Sequence, residues 1–464
     1  MKKRNLVLAG AAAAALTGGA LAYARESVAP AMSESLHMLQ LFGDVLDIVK
    51  ANYVVKVDDK KLIEAALDGM LTSLDPHSNY LNQSEFKELR EQTTGTYGGL
   101  GLEVTSQDGA IKIITPMDDT PAARAGIQSG DYIIAIDGES VLGQQFNDAV
   151  RKMKGAPGTN VSVTISRYGK DPFDLKLTRE IINVKSVKTK LEGDFGYLRL
   201  TSFNEKSAGE TAAGIRELEA KDPKLKGLVL DLRNNPGGLL DSSVQVAGDF
   251  LPHGEEVVTQ RGRGPQDIER YNAPGKDLLH GLPLVVLVNP GTASAAEIVS
   301  GALQDHHRAV ILGVTSFGKG SVQTVWPLRG GQDGAVKLTI ARYYTPSGRS
   351  IQKTGIEPDL EVAQSKEQAD RLADDKYQFS EASYKNALNA DEGKTRKIIH
   401  QVSEYPPATF DAKTGDYQLQ RAYDVLAVGG DLNKLKRGQT TTVASADKFV
   451  PPAPKKDPLG AAKN

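Results

Sequence analysis

After Asp58 the apolar residues Leu62, Ile63, Ala66, Leu67, Met70, Leu71 and Leu74 recur at intervals of three and four, which sets them along one face of an amphipathic helix with Asp58 at its N-cap. The stretch LDPHSNYL breaks that pattern at Asp75-Pro76, and His77 within it reads as a turn or capping residue. From about Tyr97 to Arg179 the period shortens. GLGLEVTS, AIKIITPM, DYIIAIDG and NVSVTISR alternate or run apolar as strands between Gly, Asp and Pro turns, with TPAARAGI and FNDAVRKM as two short helices.

From Gly193 strands and helices take turns. FGYLRLTSF leads to a helix from about Glu205 to Ala220, then GLVLDL runs into the loop RNNPGG and a helix over Leu239–Phe250. LPLVVLV precedes a helix opened by Ser294, and AVILG follows it. Apolar strands alternating with helices predict a largely parallel α/β layer, with the chemistry in the loops at its strand ends. Beyond about Gly355 the pattern weakens: Glu367–Leu388 reads as a polar helix, Gln418–Val428 as a short amphipathic one, and Val450–Asn464, rich in Pro, Lys and Ala, as disordered.

The expected organisation is multidomain α/β. It comprises an export segment (1–24), an N-terminal helical region (30–95), a β-rich domain with two helices (96–182), an α/β core of alternating strands and helices (183–360), a helical C-terminal region (361–449) and a disordered tail (450–464). A chain of 464 residues with 40% apolar residues can bury more than one core. Its formal net charge of -2, with signs interspersed, offers no basic patch and argues against a nucleic-acid partner. Cysteine is absent, which excludes disulfides, thiolate metal sites and a cysteine nucleophile. Lys2-Lys3-Arg4, the apolar run Leu6–Leu21 and Ala22-Tyr23-Ala24 fit the three parts of a secretory signal, so a periplasmic or otherwise exported location is expected. Uncleaved, residues 5–24 are long enough to anchor the chain in a membrane, which is the alternative.

Two stretches carry candidate chemistry. In NPGTASAAEI, Ser294 and Glu297 form a capping-box pattern, whose plain meaning is a helix N-cap. A serine that opens a helix behind a buried strand also sits among unpaired N–H groups, so the Ala295 N–H can serve a developing oxyanion. Gly237 or Gly238, in the loop Asn234-Asn235-Pro236-Gly237-Gly238, could supply a second donor; the sequence does not choose between them.

A base for Ser294 is sorted by distance. His306 lies some twelve residues along the same helix, roughly 18 Å away, and Asp305 and His307 are no better placed. Lys319 follows the next strand in a Gly-flanked turn, and Lys319, Ser321 and Gln323 fall on one face of the strand after it. A neutral amine there requires a pKa lowered from about 10.4 to about 7–8, on the order of 3–4 kcal/mol, which burial away from anions can impose. The Gln323 amide oxygen could orient that amine without holding its proton on, as a carboxylate would. Gly313 to Lys319 also matches G-x-x-x-x-G-K of a phosphate-binding loop, but Gly320 stands where Ser or Thr should ligate magnesium, and a strand follows where a helix is needed. No cofactor or metal is called for.

AGIQSGDYIIAIDG, with the strand order around it, resembles a PDZ domain. The segments LDPHSNYL, LRNNPGG, NPGTASAAEI, TSFGKGSVQT and TIARYYTPSGRSIQ together resemble the C-terminal processing peptidases, or tail-specific proteases, over most of 53–358. That resemblance implies a serine endopeptidase with Ser294 as nucleophile, Lys319 as general base and Gln323 as its orienting partner, and Ala295 with Gly237 or Gly238 as oxyanion donors. It implies capture of protein C-termini by strand addition to the PDZ domain, with Leu100-Gly101-Leu102 as the carboxylate loop. PDZ occupancy would control activity, and dimers or an adaptor protein occur among such proteins. The alternative is a catalytically silent PDZ scaffold, against which the intact Ser294, Lys319 and Gln323 speak. Carboxylate capture predicts that amidating a substrate's C-terminus slows its cleavage; equal rates for free and amidated tails would count against it.

Overall fold

The computed structural model describes residues 34–107, 109–373, 380–389, 404–411 and 415–435. The expected export segment and tail lie outside them. The chain divides into one unit that ends at Met70 and a second that begins at Leu71. A helix over 34–52 (α1) is followed by α2 (Asp59–Thr72), and Asp58 caps α2 by accepting the Lys60 N–H at 2.9 Å.

The turn after α2 is held by Asp75, whose Oδ1 accepts the N–H of His77 at 2.9 Å and of Ser78 at 3.0 Å. Beyond it, helix alone does not describe the region: Asn79–Leu81 is a strand (β1) ahead of α3 (Gln83–Thr94). Asn82 and Glu85 close a capping box on α3, which stops at Gly95 in the left-handed region, φ 66°.

The β-rich domain follows β2 (Thr96–Gly99). It contains β3 (Leu102–Gln107), β4 (Ala110–Pro116), β5 (Tyr132–Ile136), β6 (Glu139–Ser140), β7 (Asn160–Ser166) and β8 (Phe173–Thr178), in the order β3-β4-β5-β7-β8 with β6 on β5. The two predicted helices are α4 (Pro121–Arg124) and α5 (Phe146–Met153). Ile113, Ile133, Val163 and Ile165 form its own core. Strand β9 (Glu180–Asn183) then pairs antiparallel with β2, so the chain enters and leaves this domain through two adjacent strands.

The core sheet runs β10 (Val187–Glu192), β11 (Phe195–Leu200), β12 (Leu228–Asp231), then three strands further along the chain. Between β11 and β12 lies α6 (Ser207–Lys221), and after β12 come α7 (Leu240–Gly248) and the strands β13 (Glu256–Arg261) and β14 (Ile268–Asn272). Next are β15 (Leu284–Val288), α8 (Ala295–Asp305), β16 (Val310–Gly313), β17 (Ser321–Pro327), β18 (Ala335–Tyr344) and β19 (Leu360–Glu361). The sheet order is β10-β11-β12-β15-β16-β19, with every pair from β11 to β19 parallel. All of β12 and β15 is buried, because both faces are covered, which is why these strands read as unbroken apolar runs. Ile215, Leu218, Val244, Ile298 and Val299 pack on one face from α6, α7 and α8.

The other face is covered from the C-terminal region. After α9 (Lys366–Ala373), helix α10 (Tyr417–Ala427) lays Tyr417, Tyr423 and Leu426 against Val229, Val285 and Leu287. The helix expected over Glu367–Leu388 is corrected: the described part stops at Ala373, and Glu381–Ser383 is a single 3₁₀ turn with Glu381 buried. A second, antiparallel sheet, β1-β18-β13-β14 with β17 on β18, was not foreseen. It brings β1 and the Asp75 turn against β18, whose Thr339 faces Gln323 on the neighbouring β17.

Candidate active site

Three loops at the C-terminal ends of parallel strands meet, where α/β sheets place their ligands. One follows β12 (232–239), one follows β15 (289–294) and one follows β16 (314–320). They are bonded to each other before any ligand is considered. Thr292 Oγ1 donates to the Leu232 carbonyl at 2.8 Å, Ala293 N–H to the Asn235 carbonyl at 2.9 Å, and Phe317 N–H to the Thr292 carbonyl at 3.0 Å. Asn234 and Asn289 exchange two bonds of 2.9 Å each.

Ser294 is the N-cap of α8, yet its backbone, φ 55° and ψ -116°, is one that a side chain disfavours. A residue held so at the turn from strand to helix is paid for by the surrounding bonds, and its half-buried side chain lines the cleft. Gly237 approaches so closely that a Cβ on it would lie 2.8 Å from Ser294 Cβ and 2.9 Å from Ala295 N. Its N–H, however, donates to Asn235 Oδ1 at 2.9 Å. Among the described residues no acceptor is found for the N–H of Gly238 or of Ala295, so these two backbone donors remain available.

Glu297, one turn into α8, is wholly buried and gathers four donors. Its carboxylate accepts from Ser294 N–H (2.8 Å), Lys319 N–H (2.9 Å), Gly318 N–H (2.7 Å) and Ser316 Oγ (2.6 Å). Burial pushes this carboxyl up to about 7, while the four donors pull the other way. The sequence exposed only the capping-box half of this arrangement. Nothing in the spacing reveals that the same carboxylate holds the backbone of the Lys319 loop.

The Lys319 amine is drawn down to about 8, chiefly by burial and then by the like charge of Lys337. Its surroundings are not free of anions, as the sequence reading supposed: Glu381, Glu297 and Asp75 pull the value back up. Gln323 donates its amide N–H to Ser321 Oγ at 2.9 Å and to Thr339 Oγ1 at 3.1 Å. Asp75 in turn accepts Thr339 Oγ1 at 3.0 Å and Ser78 Oγ at 2.6 Å, which fixes the Gln323 amide the right way round for its oxygen to act as an acceptor. Lys319 itself precedes β17, and its amine makes no hydrogen bond to Ser294 or Gln323 in this structure.

Ser294, Lys319, Gln323, Gly237 and Gly238 line one cleft of about 1070 Å³. His306 and Asp305 sit at the far end of α8, where His306 Nε2 meets the Glu256 carbonyl at 2.7 Å. His77 pairs with the buried Glu381 at 2.8 Å, a contact no sequence pattern announced. Leu100-Gly101-Leu102 lies well away in sequence, where Leu100 and Gly101 link β2 to β3 and Leu102 opens β3. Leu100 is buried, Gly101 takes φ 76°, and the N–H groups of Leu100 and Gly101 find no acceptor among the described residues. No cluster of three or more His, Asp or Glu side chains able to hold a metal ion occurs among the described residues, and none of their helices is long and apolar enough to cross a membrane.

Three family models match along the chain. A model of peptidase family S41 matches residues 194–362, one of the PDZ domain matches 113–167, and one of the activating protease CtpB N-terminal domain matches 17–85. The carboxy-terminal-processing protease of Bartonella bacilliformis is 53% identical over 329 residues, 70% of this chain and 75% of that one. Carboxy-terminal processing protease CtpA of Bacillus subtilis is 37% identical over 317 residues, 68% and 66% of the two chains. Among solved structures, a photosystem II D1 C-terminal processing protease is 33% identical, spanning 70% of this chain and 92% of that one with a TM-score of 0.41.

A buried donor that loses its acceptor costs about 1–3 kcal/mol. Glu297→Ala strands four of them and is expected to lower the unfolding free energy by on the order of 4 kcal/mol, read from urea denaturation. A loss under about 1 kcal/mol would mean that these donors find other partners.

Proposed function

From the premise that this chain belongs to peptidase family S41, among the carboxy-terminal-processing proteases, we propose that it is an exported serine endopeptidase that takes hold of protein C-termini and cuts with a Ser294–Lys319 dyad through an acyl-enzyme. The observation that carries the dyad is Glu297: one carboxylate accepts the backbone N–H of both residues and so commits them to the same cleft.

In this reading Ser294 Oγ attacks a peptide carbonyl and gives its proton to the neutral Lys319 amine. The developing oxyanion is met by the N–H groups of Ala295 and Gly238, which find no acceptor among the described residues. Gly237 serves by lacking a side chain, which lets its loop lie against Ser294. Lys319 then hands the proton to the leaving amine, and water, deprotonated by the same lysine, releases the acyl group. The Gln323 oxygen orients the amine without adding a charge that would keep it protonated. Substrate delivery uses β3. It is an edge strand of its sheet and follows directly on Leu100-Gly101, so an extended C-terminal peptide can add to it with its carboxylate on the loop amides. Export rests on the pattern of residues 2–24.

Ser294→Ala is expected to abolish cleavage of an unstructured protein with a free apolar C-terminus; persistent cutting by this variant would remove Ser294 from the mechanism. Lys319→Arg keeps the charge but cannot lose its proton, so kcat should fall by about 10²–10⁴. With Lys319 titrating at about 8, kcat/KM should rise about tenfold per pH unit on the acid side and level off above that value. A profile flat from pH 6 to 9 would contradict a lysine base.

A further inference from the structure

Arg233 stands at the root of the loop that carries Gly237 and Gly238, and its five side-chain N–H groups are all used. Nε donates to Asp231 Oδ1 (2.9 Å) and Nη2 to Asp231 Oδ2 (2.7 Å). On its other edge Nη1 and Nη2 donate to Asp416 Oδ1 (2.9 Å) and Oδ2 (2.7 Å), and Nη1 also reaches Gln418 Oε1 at 3.1 Å. The guanidinium therefore lies between two carboxylates, forked onto each. Asp231 comes from the end of β12, whereas Asp416 comes from the C-terminal region, at the start of α10.

Charge makes this geometry consequential. Arg233 is 7% exposed and Asp231 is fully buried, with Arg199 Nη1 at 3.2 Å and the Tyr197 hydroxyl at 2.8 Å also on Asp231. Two arginines thus face two aspartates. Without the Asp416 charge one buried cation is left uncompensated, and arginine cannot discharge by losing a proton. The relief open to it is to move toward water. The next residues are Asn234, which interlocks with Asn289, and Asn235, whose carbonyl accepts Ala293 N–H and whose side chain accepts Gly237 N–H. Movement of Arg233 is thereby movement of Gly238 relative to Ser294.

We propose that Asp416 is a positioning residue for the reaction: acting through Arg233, it holds the loop of Gly237 and Gly238 in register with Ser294. The inference rests on Ser294 being the nucleophile and on that loop facing the oxyanion. The rival role is local, because Asp416 Oδ1 also caps α10 by accepting the Leu419 N–H at 3.1 Å.

The two roles separate in one substitution. Asparagine caps helices as well as aspartate does, but it carries no charge and has a single acceptor oxygen. Full-length Asp416→Asn is compared with the parent chain for kcat and KM on a free-tailed substrate, for affinity toward a fluorescent C-terminal peptide, and for thermal midpoint, at a temperature where circular dichroism finds both folded. Expected are a kcat lower by about ten- to a hundredfold, a KM within twofold, and unchanged peptide affinity. A kcat within twofold of the parent overturns the proposal and leaves Asp416 a helix cap. Should the asparagine variant not fold, Asp416→Glu carries the test: it keeps the charge and displaces it by one methylene, so a several-fold fall in kcat at constant KM is expected, and an unchanged kcat overturns the proposal. Ser294→Ala is assayed beside them. If it still cuts, the underlying reading has failed; if it is dead while the asparagine variant is fully active, only the present inference has.

Discussion

One carboxylate out of reach of water ties the cleft of Ser294 and Lys319 together. Glu297 belongs to α8, but two of its four donors are backbone N–H groups of the loop that follows β16, and a third is the N–H of Ser294. A buried acid normally requires a cation; here neutral donors from two segments, the loop after β16 and the N-cap of α8, supply the compensation instead. The arrangement has a geometric benefit. Each donor is directional, so the serine and the lysine loop are fixed in orientation as well as in distance. The strained backbone of Ser294 is a state that such over-determination sustains.

The lysine environment is a contest rather than a simple desolvation. Burial and Lys337 favour the neutral amine, while Glu297, Glu381 and Asp75 favour the charged one. Each of those carboxylates is itself engaged: Glu297 by its four donors, Asp75 by Ser78 and Thr339, Glu381 by His77 and by Gln352 Nε2 at 3.1 Å. Acids already saturated with hydrogen bonds can lie near an amine and still leave it at about 8, well below its ordinary value.

Periodicity and spacing made much of this legible. The unbroken apolar runs of β12 and β15 announced a sheet covered on both faces, and the short spacing of Ser294, Lys319 and Gln323 in motif-like segments picked out residues that line one cleft. Pattern failed where meaning depends on partners distant in sequence. β1 has three residues and no periodicity to detect, yet its pairing with β18 puts Asp75 and Ser78 behind Gln323. Glu381 lies in a polar run that reads as an exposed helix, and only tertiary contact explains why it is buried. Asp416 and Arg233 are ordinary surface residue types until α10 folds over the sheet. The amide direction of Gln323 likewise follows from Thr339 and Asp75, which no local rule connects to it.

The open side of β3 has a consequence beyond the peptide capture proposed for it. A strand with unpaired N–H and C=O groups will pair with any extended chain, including the same strand of another copy, and so invites self-association into fibrous sheets. Strand β3 carries features that blunt the hazard: it spans only six residues, its register with β4 slips between Glu103 and Val104, and its sequence LEVTSQ brings a charge and polar residues to positions of partial or full exposure. A bulge twists the edge out of flatness, and like charges repel when two such edges approach in parallel register. Protection against pairing with a second β3 is therefore written into the irregularity of this strand as much as into its shortness.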